Sequence, residues 1–173
     1  MKIKYLLIIL IVLGFKTDIT AQNNSDIFTI YLVRHAEKDL SVDSYTDPPL
    51  TPCGKQRAIQ LSNFFQDINL EAVYSTNYNR TENTALPTAN AKGLKLKGYN
   101  AAELEDFSEV LLGCKKDVLV VGHSNTTGVL AGLLIGEKIE AFDLDIYNRI
   151  YQVVISKNSG RIHLFHSAFS CKI

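Results

Sequence analysis

The sequence predicts one α/β domain in three layers, with a mostly parallel sheet covered by helices on both faces and a C-terminal β-hairpin. Residues 27–33 are β-rich and alternate little, and residues 118–121 form a continuous apolar run; both patterns are typical of strands buried on both faces. Strand-like and helical segments alternate along the chain, and this order favours right-handed crossovers between parallel strands. Near the end, Asn158-Ser159-Gly160 separates two β-rich segments and predicts a hairpin.

The predicted elements follow one another in a regular order. After the first strand and a polar loop over residues 39–50, Thr51 and Pro52 have the residue types of an N-cap and a first helical position. A second helix contains Pro87, which is expected to kink or shorten it. The other predicted elements are strands at 72–75, 94–99 and 118–121, helices at 80–91, 102–112 and 126–135, and hairpin strands at 151–156 and 161–165.

The first 21 residues have the pattern of a signal peptide, so the predicted organisation is a signal peptide over 1–21 and one domain over 22–173. Lys2 and Lys4 form a short basic region, and the apolar run that follows is shorter than the roughly 20 residues that span a bilayer. Small Ala21 stands at the expected cleavage edge. An uncleaved N-terminal anchor is the alternative. We expect an exported protein, periplasmic or secreted, with no membrane attachment after cleavage.

Composition excludes several classes of protein. The chain has 18 Lys and Arg residues against 18 Asp and Glu, scattered without a basic stripe, so no nucleic-acid partner is expected.

The three cysteines, Cys53, Cys114 and Cys171, have no metal-ligand spacing. One pair could bridge in an oxidising compartment, but the simpler interpretation is three ordinary small apolar residues. The oligomeric state is not predicted.

Histidines and arginines follow the strands that look most buried. His35 comes directly after the first strand, with Arg34 before it, and His123 comes after the strand at 118–121. Arg80 stands at a helix start shortly after the strand at 72–75. Because open α/β sheets bind ligands at the carboxyl ends of their strands, we expect these four side chains to meet at one edge.

This set of side chains suits a phosphoryl group. Two guanidiniums offer paired N–H donors to a dianion and stay charged at any working pH. A neutral imidazole is a competent nucleophile near pH 7, and a second histidine can stabilise the charge that develops on the transferring group. Asn125 is a further candidate for phosphate binding, with capping of the following helix as its alternative role.

Three ordered motifs carry a resemblance to a known family. Arg34-His35-Ala36-Glu37, the segment from Ser75 through Arg80 to Ala85, and Val121-Gly122-His123-Ser124-Asn125-Thr126 resemble the three signatures of the histidine phosphatase superfamily, the phosphoglycerate-mutase-like fold group. Leu50-Thr51-Pro52-Cys53-Gly54 is similar to the start of a helix in that family. The likeness extends over nearly all of the predicted domain.

The resemblance implies a role for each matching residue. His35 would be the nucleophile that becomes phosphorylated, and Arg34, Arg80 and His123 would complete the phosphate pocket. It implies no metal and no dissociable organic cofactor, and a substrate that is a small phosphorylated compound or a phosphoprotein.

The sequence departs from the family's pattern at two places. Ala36 stands where many members have glycine, and no carboxylate directly follows the strand at 94–99. Glu103 is the first carboxylate after that strand, and we interpret it as the catalytic proton donor to the leaving oxygen.

Three other functions are compatible with parts of this pattern. The missing carboxylate motivates a catalytically impaired module that only binds a phosphorylated ligand. A serine hydrolase using Ser124 is disfavoured, because the segment lacks the second glycine of a nucleophile elbow. A metallohydrolase using His35, His123 and a carboxylate is disfavoured because two fixed arginine charges would repel a divalent cation.

Overall fold

The computed structural model describes residues 27–41, 46–157 and 159–171. The predicted signal peptide over 1–21 lies outside the described residues. The strands are β1 (Ile27–Arg34), β2 (Ala72–Ser75), β3 (Leu96–Gly98), β4 (Val118–Gly122), β5 (Arg149–Ser156) and β6 (Ser159–His166), and the helices are α1 (Pro52–Phe64), α2 (Asn79–Ala91), α3 (Leu104–Cys114) and α4 (Thr127–Ile135).

The strands form one sheet in the order β3-β2-β4-β1-β5-β6. β3, β2, β4 and β1 are parallel, whereas β5 and β6 form an antiparallel hairpin on the β1 side. The predicted fold class, a mostly parallel sheet with a C-terminal hairpin, is confirmed. No helix in the described ranges is long and apolar enough to cross a bilayer.

Alternate residues of the central strands enter two separate apolar clusters, one on each face of the sheet. In β1, Ile30 and Leu32 pack with the cluster that includes Leu111 of α3 and Leu130 of α4. The residues between and after them enter the other cluster, with apolar residues of α1 and α2. Both faces of the central strands are therefore covered, which explains the apolar character of their sequences.

The start of α1 is built as its sequence predicts. The Thr51 hydroxyl accepts a hydrogen bond from the Gly54 backbone N–H at 2.9 Å, and Pro52 occupies the first turn. A Cβ at position 54 would collide with the carbonyl oxygen of Glu37, so glycine permits this helix to approach the segment that follows β1. The second helix ends at Ala91 as predicted, so Pro87 does not shorten it.

Two cysteines are joined over a long stretch of sequence. Cys53, at the start of α1, forms a disulfide with Cys171 in the C-terminal tail, with a Cα–Cα distance of 5.7 Å and a separation of 118 residues. Cys114 is free and exposed. The interpretation of all three cysteines as ordinary small apolar residues is therefore wrong for this pair. Neither composition nor spacing indicates which two of the three would meet.

Candidate active site

Strand pairing brings the two candidate histidines to the same edge of the sheet. β1 and β4 pair in parallel with Arg34 opposite Gly122, so His35 and His123 leave the sheet side by side. The His35 backbone N–H donates to the Gly122 carbonyl at 2.9 Å, and the two imidazole centroids lie 5.5 Å apart. The predicted convergence of these two residues is what the structure shows.

The imidazole of His35 is buried and held in one orientation. Its Nδ1 lies 2.7 Å from the Ala36 carbonyl oxygen. Because a carbonyl only accepts, Nδ1 carries the proton and Nε2 keeps its lone pair. Burial lowers the pKa of His35 to about 3, and the charges of Arg34 and Arg80 act in the same direction, against the hydrogen bond to Ala36. The ring is therefore neutral near pH 7, with Nε2 as the nitrogen able to attack.

His123 is also neutral near pH 7. Burial, together with the charges of Arg80 and Arg34, lowers its pKa to about 4. The Thr76 hydroxyl lies 3.0 Å from His123 Nε2, and the Thr126 hydroxyl accepts from the His123 backbone N–H at 2.9 Å. The Thr76 hydroxyl after β2 thus holds the ring of His123, and the Thr126 hydroxyl at the N-cap of α4 holds its backbone.

Arg34 is nearly fully buried and is held by the segment before β5. Its Nη1 donates to the carbonyl oxygens of Leu144 at 2.6 Å and Ile146 at 3.0 Å. The guanidinium carbon lies 4.0 Å from the centroid of the Tyr147 ring, and that ring lies 6.2 Å from the His35 ring. Sequence reasoning missed Tyr147, which is more than 100 residues away from Arg34 and has no motif around it.

Arg80 has a parallel arrangement on the other side of the histidines. Its guanidinium carbon lies 4.3 Å from the Tyr78 ring centroid, and that ring lies 5.3 Å from the His123 ring. Arg80 Nη1 is 3.4 Å from an Asp47 carboxylate oxygen, and Asp47 also accepts from the Asn79 backbone N–H at the start of α2. Each arginine therefore lies on a tyrosine ring beside a histidine.

Both arginines keep a buried donor directed at no protein acceptor. Within the described ranges, the Nε atoms of Arg34 and Arg80 are buried and have no hydrogen-bond partner. Buried polar groups are nearly always hydrogen-bonded, so an anionic ligand in contact with both Nε atoms would satisfy two donors that the protein leaves unpaired. A tetrahedral oxyanion offers acceptors of the required charge.

Thr84 links the motif around His35 to Arg80. The Ala36 backbone N–H donates to the Thr84 hydroxyl at 2.9 Å, and that hydroxyl donates to the Arg80 carbonyl at 2.7 Å. The methyl group of Ala36 is fully buried in a small cluster with Leu50 and Ala58. Alanine at this position is therefore accommodated by packing under α1. Sequence reasoning quoted Thr84 within the second motif without giving it a role.

An open cleft of about 830 Å³ lies beside the histidines. Its wall includes Arg80, His123 and Asn125, together with residues 98–102 after β3. The N-cap of α4 is Thr126, so Asn125 does not have the capping role that the sequence left open. Binding of phosphate by Asn125 stays a prediction.

Glu103 lies in a different place from the other predicted residues. It is exposed at the start of α3 and lines a neighbouring depression of about 260 Å³ together with Asp106. The two depressions share only Gly98, Tyr99 and Asn100. The structure thus brings Arg34, His35, Arg80 and His123 together and places Asn125 at their cleft, but it does not place Glu103 in that cleft.

The C-terminal tail supports the segment that follows His35. Arg57 of α1 makes three nitrogen–oxygen contacts of 2.6 to 2.9 Å with the Glu37 carboxylate, and its Nη1 donates to the Phe169 carbonyl at 3.0 Å. The sulfur of Cys171 lies 3.1 Å from a Glu37 oxygen. Glu37, Cys53 and Cys171 form a cluster of metal-ligand types, but two sulfurs joined in a disulfide offer no thiolate.

The fold and this site define a class: α/β proteins with two histidines and two arginines beside the carboxyl ends of the parallel strands of one sheet. The model of one family, the histidine phosphatase superfamily (branch 1), matches residues 30–114. That range contains Arg34, His35 and Arg80, while His123 lies beyond it. The chain belongs to the histidine phosphatase superfamily.

Comparison with solved structures confirms the fold. The protein histidine phosphatase SixA in complex with tungstate is 18% identical, with a TM-score of 0.67 over 80% of this chain and 97% of that one. The α-ribazole phosphatase from Shigella flexneri is 17% identical, with a TM-score of 0.68 over 84% and 100%. A mycobacterial glucosyl-3-phosphoglycerate phosphatase is 12% identical, with a TM-score of 0.63 over 82% and 100%. No curated protein sequence matches this chain.

Proposed function

We propose that this protein is an exported, metal-independent phosphatase that hydrolyses phosphomonoesters through a phosphohistidine formed on His35. One observation carries the proposal: the Ala36 carbonyl holds the proton of His35 on Nδ1, which leaves the lone pair of Nε2 available. The unpartnered Nε donors of Arg34 and Arg80 support it, because they suit the oxygens of the group under attack. The neighbours named above are phosphatases of the same fold, which adds support.

The reaction has two steps. In the first, His35 Nε2 bonds to phosphorus as the bond to the leaving oxygen breaks and its electron pair stays with that oxygen. In the second, a water oxygen attacks phosphorus, the P–N bond breaks, and the electron pair returns to Nε2 while a proton passes to solvent. Arg34, Arg80 and His123 stabilise the charge on the transferring group in both steps.

Export is part of the proposal. The signal-peptide pattern over residues 1–21 and the disulfide between Cys53 and Cys171 both support an oxidising compartment. Independence of metals is supported by the two arginines, whose fixed charges occupy the place where a metal ion would otherwise neutralise phosphate.

The proposal is tested by replacing the nucleophile in the mature protein. We expect His35→Ala to lower the rate of p-nitrophenyl phosphate hydrolysis by about 10³-fold or more, since no other group can take over the covalent step. His163→Ala, at an exposed histidine of β6, is the matched control and should retain activity. Excess EDTA should leave the wild-type rate unchanged. Equal rates for His35→Ala and wild type would contradict the proposed nucleophile.

A binding module without turnover is the second candidate, and one observation favours it: no carboxylate in the described part of the chain lines the cleft beside His123. Calorimetry with tungstate separates the two functions. A binder would hold the oxyanion in a way that depends on Arg34 and Arg80, yet it would hydrolyse no phosphate ester. Any turnover that His35→Ala removes would exclude this candidate.

A further inference from the structure

The wall of the cleft is neutral except for one arginine. Besides Arg80 and His123, the residues that line it are amides, hydroxyls and small apolar groups: Thr76, Asn77, Tyr78, Gly98, Tyr99, Asn100, Ala101, Ala102, Asn125 and Thr126. His123 lines this cleft and lies against His35, whereas the pocket on the Arg34 side has a volume of only about 20 Å³. We therefore take the cleft as the route by which a leaving group departs from His35. Within the described residues, this route contains no side chain that is an acid near neutral pH.

Among the described carboxylates near the site, three are engaged elsewhere, and Asp145, whose charge acts on Arg34, does not line the cleft. Glu37 is bound on both oxygens by Arg57. Asp47 accepts from the backbone and side-chain nitrogens of Asn79 and pairs with Arg80. Glu103 is directed to the neighbouring depression, since α3 buries the adjacent Leu104 against the sheet.

The other titratable groups at the cleft are weak acids there. Burial raises the pKa of Tyr99, so its hydroxyl holds its proton more tightly than an ordinary tyrosine. Burial lowers the pKa of His123 to about 4, so that ring carries no extra proton near pH 7. In the proposed reaction His35 is the nucleophile, and its one proton stays on Nδ1, which donates to the Ala36 carbonyl.

A leaving oxygen that receives no proton must depart as an anion. The activation barrier of the first step then rises with the basicity of that anion, and it is high for the alkoxides of ordinary alcohols. We propose that the substrates of this protein are activated phosphoryl compounds, such as acyl and aryl phosphates, whose leaving group departs into the neutral cleft without a proton from the protein. This inference rests on the proposed function, because it concerns the first step of that reaction.

The test measures kcat/KM, which reports only the steps up to departure of the leaving group. The series runs from dinitrophenyl phosphate through p-nitrophenyl and phenyl phosphate to an alkyl phosphate, with acetyl phosphate as the acyl example. We expect kcat/KM to fall steadily with leaving-group basicity. The alkyl phosphate should be slower than p-nitrophenyl phosphate by about 10²–10⁴-fold, the factor that a general acid ordinarily contributes.

Glu103→Gln sharpens the test, with Glu109→Gln at an exposed position of α3 as the matched control. We expect both variants to change kcat/KM by less than about twofold, and equally for good and poor leaving groups. Alkyl and p-nitrophenyl phosphates hydrolysed at similar rates would overturn the inference. So would a loss in Glu103→Gln that is confined to poor leaving groups, because it would identify Glu103 as the acid.

Failure of the inference and failure of the proposed function give different results. If the inference is wrong but the function is right, even the alkyl phosphate is hydrolysed well and His35→Ala abolishes the activity. If the function itself is wrong, dinitrophenyl and acetyl phosphate are hydrolysed no faster by the wild type than by His35→Ala. Either result rejects the inference, and the His35→Ala comparison shows which of the two claims has failed.

Discussion

The two ends of the site differ in how firmly their side chains are held. At the phosphate end, formed by Arg34, His35, Arg80 and His123, both Arg34 and His35 are about 4% exposed, and hydrogen bonds fix the guanidinium and both rings. At the cleft end, Asn77 and Asn125 are exposed. Under the proposed function, the phosphoryl group that all substrates share would meet a preorganised site, and the variable part of the substrate would be held loosely.

Among the changes that test this difference between the two ends, Arg34→Lys has the largest expected effect. An ammonium cannot contact the carbonyls of Leu144 and Ile146 and also present a planar fork to phosphate, so the phosphate end loses both its anchor and its donor. We expect kcat/KM for p-nitrophenyl phosphate to fall about 10²-fold. Arg161→Lys, at an exposed arginine of β6, is the matched control. A fall in kcat/KM of less than fivefold in steady-state kinetics would mean that the phosphate end is less rigid than its hydrogen bonds indicate.

The same difference explains which parts of the site the sequence predicts. Arg34, His35, Arg80 and His123 each lie within two residues of a strand end or a helix start, so the pattern of buried strands is sufficient to place them together. Sheet topology then fixes their convergence. The phosphate end is therefore encoded locally, in short motifs.

No short sequence motif predicts the long-range contacts of the site. Tyr147 reaches Arg34, and Cys171 reaches Cys53, only because the segment before β5 and the C-terminal tail pack against the β1 side of the sheet. The proton-donor role of Glu103 stays a prediction, since Glu103 lines the neighbouring depression and chain order does not show which face of α3 is buried. Leu104, Phe107 and Leu111 take the buried face.

A second prediction uses pH to test how deeply the phosphate end is buried. Above pH 6.5, His35 is neutral in both folded and unfolded states and pH has no effect through it. Below that value His35 binds a proton in the unfolded chain, whereas in the folded protein it is protonated only near pH 3. The free energy of unfolding therefore falls as the pH falls. At pH 5 the difference of 1.5 units from the ordinary value costs roughly 2 kcal/mol.

Urea unfolding of the mature protein at pH 7 and pH 5 measures this cost. We expect the loss of unfolding free energy between the two pH values to be smaller in His35→Gln than in wild type, by roughly 2 kcal/mol. His163→Gln, at an exposed position, should behave as wild type. An identical loss in all three proteins would show that His35 is hydrated in the folded state, and the contrast between the two ends would then disappear.

The smallest expected effect is at the cleft end, in Asn125→Ala. The side chain is exposed and can offer one hydrogen bond, which contributes about 0.5–1.5 kcal/mol, so kcat/KM should fall by only about two- to tenfold. Comparing an aryl phosphate with acetyl phosphate locates that bond: an equal loss places Asn125 on the phosphoryl oxygens, whereas an unequal loss places it on the leaving group. A loss of 100-fold or more would mean that the cleft is as preorganised as the phosphate end, and the distinction between a fixed and a permissive half of the site would fail.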